Sequence, residues 1–376
     1  MTYGKRLFIK LLRDHINGVP SVVNGDIDIP WDEIQVYSKA HQTEGIIYYQ
    51  TRNERFFTSF SSSFYLYSNR KSALEKIANE FKKSFVIVKG LEVAKLYPLP
   101  ALRTMGDIDI VVASENKNEL HELMLKEGYV CNQSDREWHY YKGNIMFEVH
   151  DRLVYSAQRK TDSQEQFFND FWKYRSGYGL DWNFHFLFLV FHLRKHFLNQ
   201  GVGFRQFLDI AVVSKRCEKL DWSWIENRLK EIDMFKFATI VFSLCNRWFD
   251  TEIPITCELD DAFVEETTNK VFENGVFGFG DSNNQKNVVI NQIRNMGKTG
   301  IMYRFISDVF LPLDKMKTLS EYSFLNDKSY LLLFAWFKRL LKKATTRDWS
   351  VLRTHYFITN KEINEREEYL NKWGIK

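Results

Sequence analysis

Residues 104–112 read Thr-Met-Gly-Asp-Ile-Asp-Ile-Val-Val, and this stretch decides the fold. Charged and apolar residues alternate in its first half and β-branched residues follow, which predicts a strand that begins at the surface and enters a core. Because side chains alternate sides along a strand, Asp107 and Asp109 are expected on one face, one pleat apart. Two carboxylates held that close repel each other unless a positive charge lies between them, and a divalent cation usually supplies it.

A second interpretation places both aspartates on the solvated edge of a strand, because an Asp-x-Asp pair alone is a common chance match. Three observations favour the cation. Aspartate is depleted in strands, so a pair there needs a reason. The apolar run 85–88 ends at Lys89-Gly90, where a glycine lets backbone N–H groups approach an anion. Glu148 lies inside the apolar run 145–150, where a carboxylate without a partner is costly.

Taken in order, these motifs resemble a bacterial family of uncharacterised nucleotidyltransferases in the superfamily of the DNA polymerase β type. The family pattern has Lys-Gly, an arginine before Gly-Asp-Ile-Asp, Gly-Tyr and Glu-x-His, followed by two further motifs. The matching residues are Lys89-Gly90, Arg103, Gly106-Asp107-Ile108-Asp109, Gly128-Tyr129, Glu148-Val149-His150, 192–196 and 203–209. The resemblance extends from about residue 30 to about residue 340.

The resemblance implies a catalytic site and a set of nucleotide-binding residues. Asp107, Asp109 and Glu148 are the implied metal ligands and catalytic residues, and they would hold two Mg²⁺ ions, with Mn²⁺ as the alternative ion. The implied nucleotide-binding residues are Lys89, Gly90, Arg103, Gly106, Lys195, His196 and Arg205. Leu91 departs from the pattern, because the wider superfamily has a small Ser or Gly after the turn glycine.

The implied reaction transfers a nucleoside monophosphate from an NTP such as ATP to a hydroxyl acceptor, with release of pyrophosphate. A small molecule or a protein is favoured over RNA as the acceptor, because the chain shows no basic stripe and no aromatic stacking platform. The alternative function is a catalytically silent nucleotide-binding or protein-interaction module on the same fold. Leu91 favours this alternative, whereas three crowded carboxylates without a function argue against it.

Two polar pairs outside the acidic trio allow more than one interpretation. Arg205 and Asp209 are four residues apart, which is typical of a surface ion pair, but the resemblance places Arg205 at the nucleotide cleft. His150 shares a strand face with Glu148 and either tunes the metal site or is a satisfied interior histidine. Arg103 is expected to hold a phosphate in a forked contact that lysine cannot reproduce.

Three histidines occupy one face of a predicted helix. His185, His192 and His196 are seven and then four residues apart, and the last two have a spacing that zinc sites use. No third ligand is in sight, so contacts of Lys195 or His196 with phosphate are the favoured interpretation, with a polar stripe on a partly buried helix as the alternative.

The composition predicts a folded protein of two or three domains. The chain has 376 residues, 44% of them hydrophobic and 16% aromatic, which supports a sizeable core. Lysine plus arginine exceed aspartate plus glutamate by only 52 to 48, too even a balance to predict nucleic-acid binding. The four cysteines include no C-x-x-C pair, which is typical of a reducing compartment, and basic residues interrupt the first apolar positions. We therefore expect a cytoplasmic protein without a signal peptide.

The predicted fold is an α/β nucleotidyltransferase module, a small mixed β-sheet with helices, flanked by predominantly α-helical N- and C-terminal regions. The predicted regions are an N-terminal helical region at 1–80, the catalytic module at 81–155 and a C-terminal helical domain at 156–376, with the polar stretch 158–170 as a linker. No apolar run reaches the ~18 residues of a membrane span, so none is expected. The run 330–337, followed by basic residues, is interpreted as a buried helix, with a membrane-surface helix as the alternative.

Overall fold

The computed structural model describes residues 1–21, 29–133, 138–155, 163–199, 201–276, 289–291, 293–294, 297, 306–307, 309–317, 320–344 and 358–375. The chain forms two compact units. The first comprises Met1–Lys195 and Val202–Phe277, and the second His196–Gly201 and Gly278–Lys376. The boundaries predicted at residues 80 and 155 both fall inside the first unit, and the division into three regions remains a prediction.

A five-stranded mixed sheet lies in the first unit. Its strands are β1 (Phe85–Val88), β2 (Ile108–Val112), β3 (Val130–Gln133), β4 (Trp138–Lys142) and β5 (Ile145–His150). The spatial order is β1-β2-β5-β4-β3, with β2 parallel to β5 and the other neighbours antiparallel. The predicted mixed sheet with flanking helices is confirmed.

Local sequence explains the strands and their turn. Val, Ile and Phe dominate β1 and β2, and β-branched and aromatic side chains favour the pleated conformation. Strands β4 and β5 pair Lys142 with Ile145 across a two-residue turn, in which Gly143 has a φ of +59°. This left-handed conformation suits glycine and confirms the tight hairpin predicted at Gly143-Asn144.

Helices account for most of the remaining described chain. They are α1 (Tyr3–Asn17), α2 (Trp31–His41), α3 (Glu44–Thr51), α4 (Phe57–Glu80), α5 (Gly90–Ala94), α6 (Lys117–Lys126), α7 (Ser163–Asn169), α8 (Trp182–Asn199), α9 (Phe204–Arg216), α10 (Trp222–Glu231), α11 (Phe235–Phe249), α12 (Asp261–Asn274), α13 (Leu313–Lys317), α14 (Leu332–Ala344) and α15 (Asn360–Lys372). A two-stranded sheet is formed by β6 (Arg175–Ser176) and β7 (Gly179–Leu180). Its turn contacts β1, because the Ile87 N–H donates to the Tyr178 carbonyl at 2.6 Å.

The core of the module lies on one face of the sheet. Ile108 and Ile110 of β2 pack there with Leu74 of α4 and Leu120 of α6, and Phe147 of β5 joins them. The alternation of β2 therefore places Asp109 on the opposite face. The sequence predicted this division, because the apolar residues of β2 recur with a period of two.

The linker prediction was wrong where the chain is described. Ser163–Asn169 is the helix α7, and its Phe168 is fully buried, with ring centroids 5.8 Å from Phe184 and 4.7 Å from Phe191 of α8. Polar neighbours dominate the composition of this stretch, yet one buried aromatic side chain is enough to dock a short helix. Residues 156–162 lie outside the described residues.

The second unit contains an amphipathic helix with an exposed apolar side. In and before α14, Tyr330, Leu333, Phe334 and Phe337 are exposed, whereas Ala335 is buried. The interpretation of 330–337 as a buried helix was therefore wrong for most of its large side chains. In the described part of the chain, every helix falls short of the length or the apolar character that crossing a membrane requires.

Candidate active site

The sheet face opposite the core carries a row of polar side chains. Asp109 of β2 stands directly opposite Glu148 of the parallel strand β5, and Glu148 stands opposite His139 of β4. His150 follows two residues after Glu148 and therefore lies on the same face. One ligand atom from each of Asp109, Glu148 and His150 lies within 4.8 Å of the other two. This set is the one group of three His, Cys, Asp or Glu residues with metal-binding spacing among the residues the structure describes.

His150 carries a positive charge between the two carboxylates. Its Nε2 lies 3.3 Å from Oε1 of Glu148 and 3.7 Å from Oδ1 of Asp109. Burial lowers the pKa of His150, but contacts with the two carboxylates outweigh burial and raise it to about 9. Burial raises the pKa of Glu148, and the contact with His150 outweighs this and lowers it. At neutral pH the site thus contains an imidazolium and an ionised Glu148.

Lys89 supplies a second positive charge. Its Nζ lies 2.5 Å from Oδ1 of Asp109, which is only 3% exposed. Burial alone would lower the pKa of Lys89 and raise that of Asp109. The opposite charges outweigh burial, so the pKa of Lys89 is raised and that of Asp109 is lowered to about 2.

The backbone of Lys89 is held in an uncommon conformation. Its φ is +55°, and its N–H donates to Nε2 of His185 at 3.0 Å. Burial, and secondarily the charges of Arg103 and Lys89, lower the pKa of His185 to about 3. His185 is therefore neutral, as a hydrogen-bond acceptor must be. The histidine that the sequence grouped with His192 thus shapes the turn after β1.

Asp107 precedes β2 and is half-buried, so it lies outside the strand that was predicted to contain it. Burial and the charge of Asp109 raise the pKa of Asp107 to about 6, against the opposing charge of Lys89. Nearby positive charges therefore balance the negative charge of Asp107 incompletely, and a hard cation would relieve this repulsion.

Arg205 is a second charged group with a shifted pKa. Burial and the charge of Arg103 lower the pKa of Arg205 to about 10, although Asp209 and Asp107 oppose the shift.

Arg103 uses its fork on a carboxylate of the chain. Its Nε donates to Oδ1 of Asp209 at 2.9 Å and its Nη2 to Oδ2 at 2.7 Å, and the Tyr97 hydroxyl also donates to Oδ1 at 3.2 Å. Asp209 is buried, which excludes the alternative interpretation of Arg205 and Asp209 as a surface ion pair. Arg205 donates instead to Oε1 of Gln42.

One nitrogen of Arg103 remains available at the turn after β1. Nη1 is buried and has no hydrogen-bond partner among the described residues. A Cβ added to Gly90 would lie 3.7 Å from this nitrogen, 3.6 Å from the Asp107 carbonyl oxygen and 3.5 Å from Sδ of Met105. These are ordinary van der Waals distances, so the turn lies beside the loop before β2 without requiring a glycine at this position.

The three remaining residues that the resemblance assigns to nucleotide binding are Gly106, Lys195 and His196. Gly106 is exposed, and its carbonyl accepts a hydrogen bond from Nη2 of Arg70 at 3.2 Å. Lys195 is exposed on α8, and His196 is half-buried and belongs to the second unit. The predicted contacts of Lys195 and His196 with phosphate remain predictions.

Sequence reasoning missed Arg70 and left His150 without a chosen role. Arg70 lies on α4, far from the motifs in the chain, and nothing in its local pattern connects it with Gly106. His150 had a usable signal, since the period of two on β5 places it beside Glu148.

Comparison with known proteins assigns the chain to a family. A sequence model of the uncharacterised nucleotidyltransferase family matches residues 28–250, which is more than half of the chain. The protein belongs to this family. A search of curated proteins and a search of solved structures each found no match to the chain.

The donor set of this nucleotidyltransferase fits a divalent metal ion. Carboxylate oxygens are the preferred ligands of Mg²⁺, and Asp109 and Glu148 offer them from adjacent strands. Asp107 adds a third carboxylate directly before β2. In the described structure, Lys89 and His150 supply the positive charge at Asp109. A metal ion bound to Asp109 would supply positive charge in addition to Lys89 and His150, or in their place.

Proposed function

We propose that the protein transfers a nucleoside monophosphate from an NTP, with ATP as the first candidate, to a hydroxyl acceptor and releases pyrophosphate. The observation that carries this proposal is the pairing of Asp109 and Glu148 on adjacent strands, where a carboxylate oxygen of each lies within 4.8 Å of the other. Asp107 directly precedes β2, and family membership supports the general class of reaction.

Asp107, Asp109 and Glu148 are the proposed metal ligands, for two Mg²⁺ ions or for Mn²⁺ in their place. Bound there, the metal would acidify the acceptor hydroxyl and offset the charge that develops on the α-phosphate. The low pKa of Asp109 keeps it ionised at neutral pH and thus able to bind a cation. The raised pKa of Asp107 would fall once a cation is bound, because the repulsion among the carboxylates is relieved.

Positive groups near Gly90 are the proposed contacts of the triphosphate. Nη1 of Arg103 has no hydrogen-bond partner among the described residues and lies close to Gly90, so a phosphate oxygen there would satisfy it. Lys89 adds an ammonium group at the same turn. Arg205 adds a positive charge that acts to lower the pKa of Asp107. Gly106 and Lys195, which belong to the same unit, complete the proposed set.

The transfer step exchanges one phosphorus–oxygen bond for another. The acceptor hydroxyl oxygen bonds to the α-phosphorus, and the bond from the α-phosphorus to the oxygen that bridges it to the β-phosphate breaks. Pyrophosphate takes that electron pair, and Glu148 takes the hydroxyl proton. The lowered pKa of Glu148 keeps it in the ionised form that accepts a proton.

Two observations favour the alternative, a silent nucleotide-binding or interaction module. Lys89 and His150 already balance the charge of Asp109, so the acidic group is stable without a metal. Leu91 also packs into the core rather than presenting a hydroxyl to a phosphate.

The test measures binding of each of the four ribonucleoside triphosphates, with and without Mg²⁺. Three proteins are compared: the wild type, the double variant Asp107→Asn/Asp109→Asn and the control Asp32→Asn. Asp32 is 93% exposed in its side chain and pairs with Arg55, so its replacement removes a carboxylate far from the strand face. Circular dichroism verifies that each variant is folded.

Binding that requires both Mg²⁺ and the two aspartates, and that survives in Asp32→Asn, is the expected result. Equal binding to the double variant would overturn the proposed metal site. Binding of Mg²⁺-ATP without pyrophosphate release in the presence of candidate acceptors favours the silent module.

A further inference from the structure

A cavity of about 250 Å³ lies between α4 and the loop that precedes β2. Ser59, Ser62, Ser63, Leu66 and Arg70 line it from α4, at intervals that place them on one face of the helix. The opposite wall includes Glu44, Arg103 and Thr104. All of these residues belong to the first unit, and the volume lies just below the range of ~300–1,000 Å³ that is typical of small-molecule sites.

Arg70 is a buried cation at one end of this cavity. It is 7% exposed, and its Nη2 donates to the Gly106 carbonyl at 3.2 Å. Its Nε is buried without a hydrogen-bond partner among the described residues, and none of the ion pairs of the described chain includes Arg70. Burying a guanidinium costs free energy: burial lowers the pKa of Arg70, and the charge of Asp107 opposes this only in part. An oxyanion in the cavity would offset more of that cost.

The cavity has a positive charge at one end and a negative charge at the other, with serine hydroxyl groups along it. Ser59 and Arg70 are eleven residues apart on α4, which corresponds to ~16 Å along the helix axis. Glu44 accepts a hydrogen bond from the Ser59 hydroxyl at 2.9 Å, so the acidic charge lies at the end away from Arg70. Ser63 donates to the Phe60 carbonyl at 2.7 Å, and its oxygen can still accept a hydrogen bond. An oxyanion at Arg70 and hydroxyl groups along the serines would match this arrangement.

The cavity also adjoins the segment that carries the first proposed metal ligand. Thr104 and Met105 line it and are followed directly by Gly106 and Asp107. Because Arg70 bonds to the Gly106 carbonyl, a ligand anchored at Arg70 lies one residue from the first proposed metal ligand.

We propose that this cavity binds the acceptor, a hydroxylated small molecule whose phosphate or carboxylate group pairs with Arg70. The inference rests on the proposed function, since it identifies the substrate whose hydroxyl receives the nucleoside monophosphate. Arg103 is assigned to the triphosphate and Arg70 to the acceptor, so the two arginines are predicted to affect different ligands.

The test titrates the full chain with four probes in the absence of nucleotide and metal. The probes are inorganic phosphate, glucose 6-phosphate, glucuronate and glucose, and calorimetry or ligand-observed NMR measures their affinities. The variants are Arg70→Gln, which removes the cation, and Ser62→Trp, which fills the mouth of the cavity from an exposed helix position. Lys71→Gln is the matched control, because Lys71 is the neighbouring exposed cation and does not line the cavity.

Glucose 6-phosphate or glucuronate is expected to bind the wild type at least about tenfold more tightly than glucose, because a charge-assisted hydrogen bond adds that factor. The tighter of these two probes identifies the anionic group as phosphate or carboxylate. Arg70→Gln and Ser62→Trp should each weaken that binding about tenfold or more, and Lys71→Gln should leave it unchanged. Ser62→Trp keeps the test decisive if Arg70→Gln does not fold.

Three results would overturn the inference. The first is that no probe binds at millimolar concentrations, and the second is that the anionic probes bind both variants with the affinity of the wild type. The third is that Ser62→Trp weakens the binding of Mg²⁺-ATP and leaves the binding of the probes unchanged. Failure of the proposed function gives a different pattern. In that case anionic probes still depend on Arg70, whereas triphosphate binding is absent or independent of Asp107 and Asp109.

Discussion

Arg103 and Asp209 form a bidentate ion pair, with Nε–Oδ1 at 2.9 Å and Nη2–Oδ2 at 2.7 Å. The two residues are 106 positions apart in the chain, and both are buried. The pair joins the loop before β2 to α9 and thereby fixes the guanidinium, leaving Nη1 near Gly90. The position of a proposed phosphate contact therefore depends on a carboxylate from a distant helix.

Replacing Asp209 by Asn should destabilise the protein strongly. The substitution leaves the buried guanidinium of Arg103 without a counter-ion, which costs about 3–5 kcal/mol of unfolding free energy. Urea unfolding measures this, with Asp261→Asn as the control, because Asp261 is 88% exposed and its pair with Arg247 is worth at most ~1 kcal/mol. Equal effects of the two substitutions would show that burial does not govern the Arg103 pair.

Replacing Lys89 by Gln should strengthen metal binding in the absence of nucleotide. The ammonium lies 2.5 Å from Oδ1 of Asp109, the oxygen that a cation would use. Two like charges ~4 Å apart repel by ~4 kcal/mol at the effective dielectric of a protein surface, so we expect at least about tenfold tighter Mn²⁺ binding. Electron paramagnetic resonance of free Mn²⁺ measures the change, with Lys83→Gln as an exposed control paired with Glu119. Unchanged or weaker binding in Lys89→Gln would contradict the expectation.

His41 should make the protein less stable in acid. It is fully buried among the rings of Phe8, Phe204 and Phe272, and burial lowers its pKa to about 3. Below the unfolded pKa of about 6.5, the unfolded chain binds a proton that the folded protein does not, so the unfolding free energy falls by ~1.4 kcal/mol per pH unit until the pH approaches 3.

The variant His41→Asn tests this pH dependence. Asparagine retains an acceptor for the Phe204 N–H, which donates to Nδ1 of His41 at 3.3 Å, and it does not titrate. Between pH 6.5 and 5, its unfolding free energy should fall by ~2 kcal/mol less than that of the wild type. Urea unfolding measures the free energy of both proteins at each pH. If the wild type and His41→Asn lose the same amount between pH 6.5 and 5, His41 is excluded as a source of acid sensitivity.

Gly203→Ala should destabilise the protein, whereas Gly45→Ala should not. A Cβ on Gly203 would lie 2.7 Å from the backbone carbon of Gly275 and 2.7 Å from Nδ1 of His41, so overpacking should cost ~1–3 kcal/mol. On Gly45 of α3, the nearest atom would be 3.5 Å away, and the helix propensity of alanine should add up to ~1 kcal/mol. Thermal unfolding of both variants compares them, and a stable Gly203→Ala protein would show that the backbone at Gly275 can shift.

The strands of the module were predictable because their signals are local. The apolar runs 85–88 and 145–150, and the glycine turn before Ile145, match the strands and hairpin found. The period of two also placed Asp109 on the face away from the core, and Glu148 is its neighbour in the sheet. The period overestimated the length of β2, because Asp107 continues the alternation but lies before the first paired residue.

The partners of the charged residues were not predictable in the same way. Arg205 and Asp209 have the spacing of a helical ion pair, yet Asp209 pairs with Arg103 from a distant loop. Arg70 reaches Gly106, and His185 accepts the N–H of Lys89, although neither contact has a local signal. Spacing within one helix cannot predict which element packs against it.

The sequence by itself determined the class of fold, the strand face that carries Asp109 and Glu148, and the family to which the chain belongs. These depend on hydrophobic periodicity and ordered motifs, which act over a few residues. Only the tertiary structure decided that Lys89 and His150 balance the charge of Asp109, and that Arg70 is left as a buried cation in a cavity beside Gly106. The physical reason is that charges interact through space, and burial, which depends on how distant elements pack, sets both their strength and the cost of leaving a charged group without a partner.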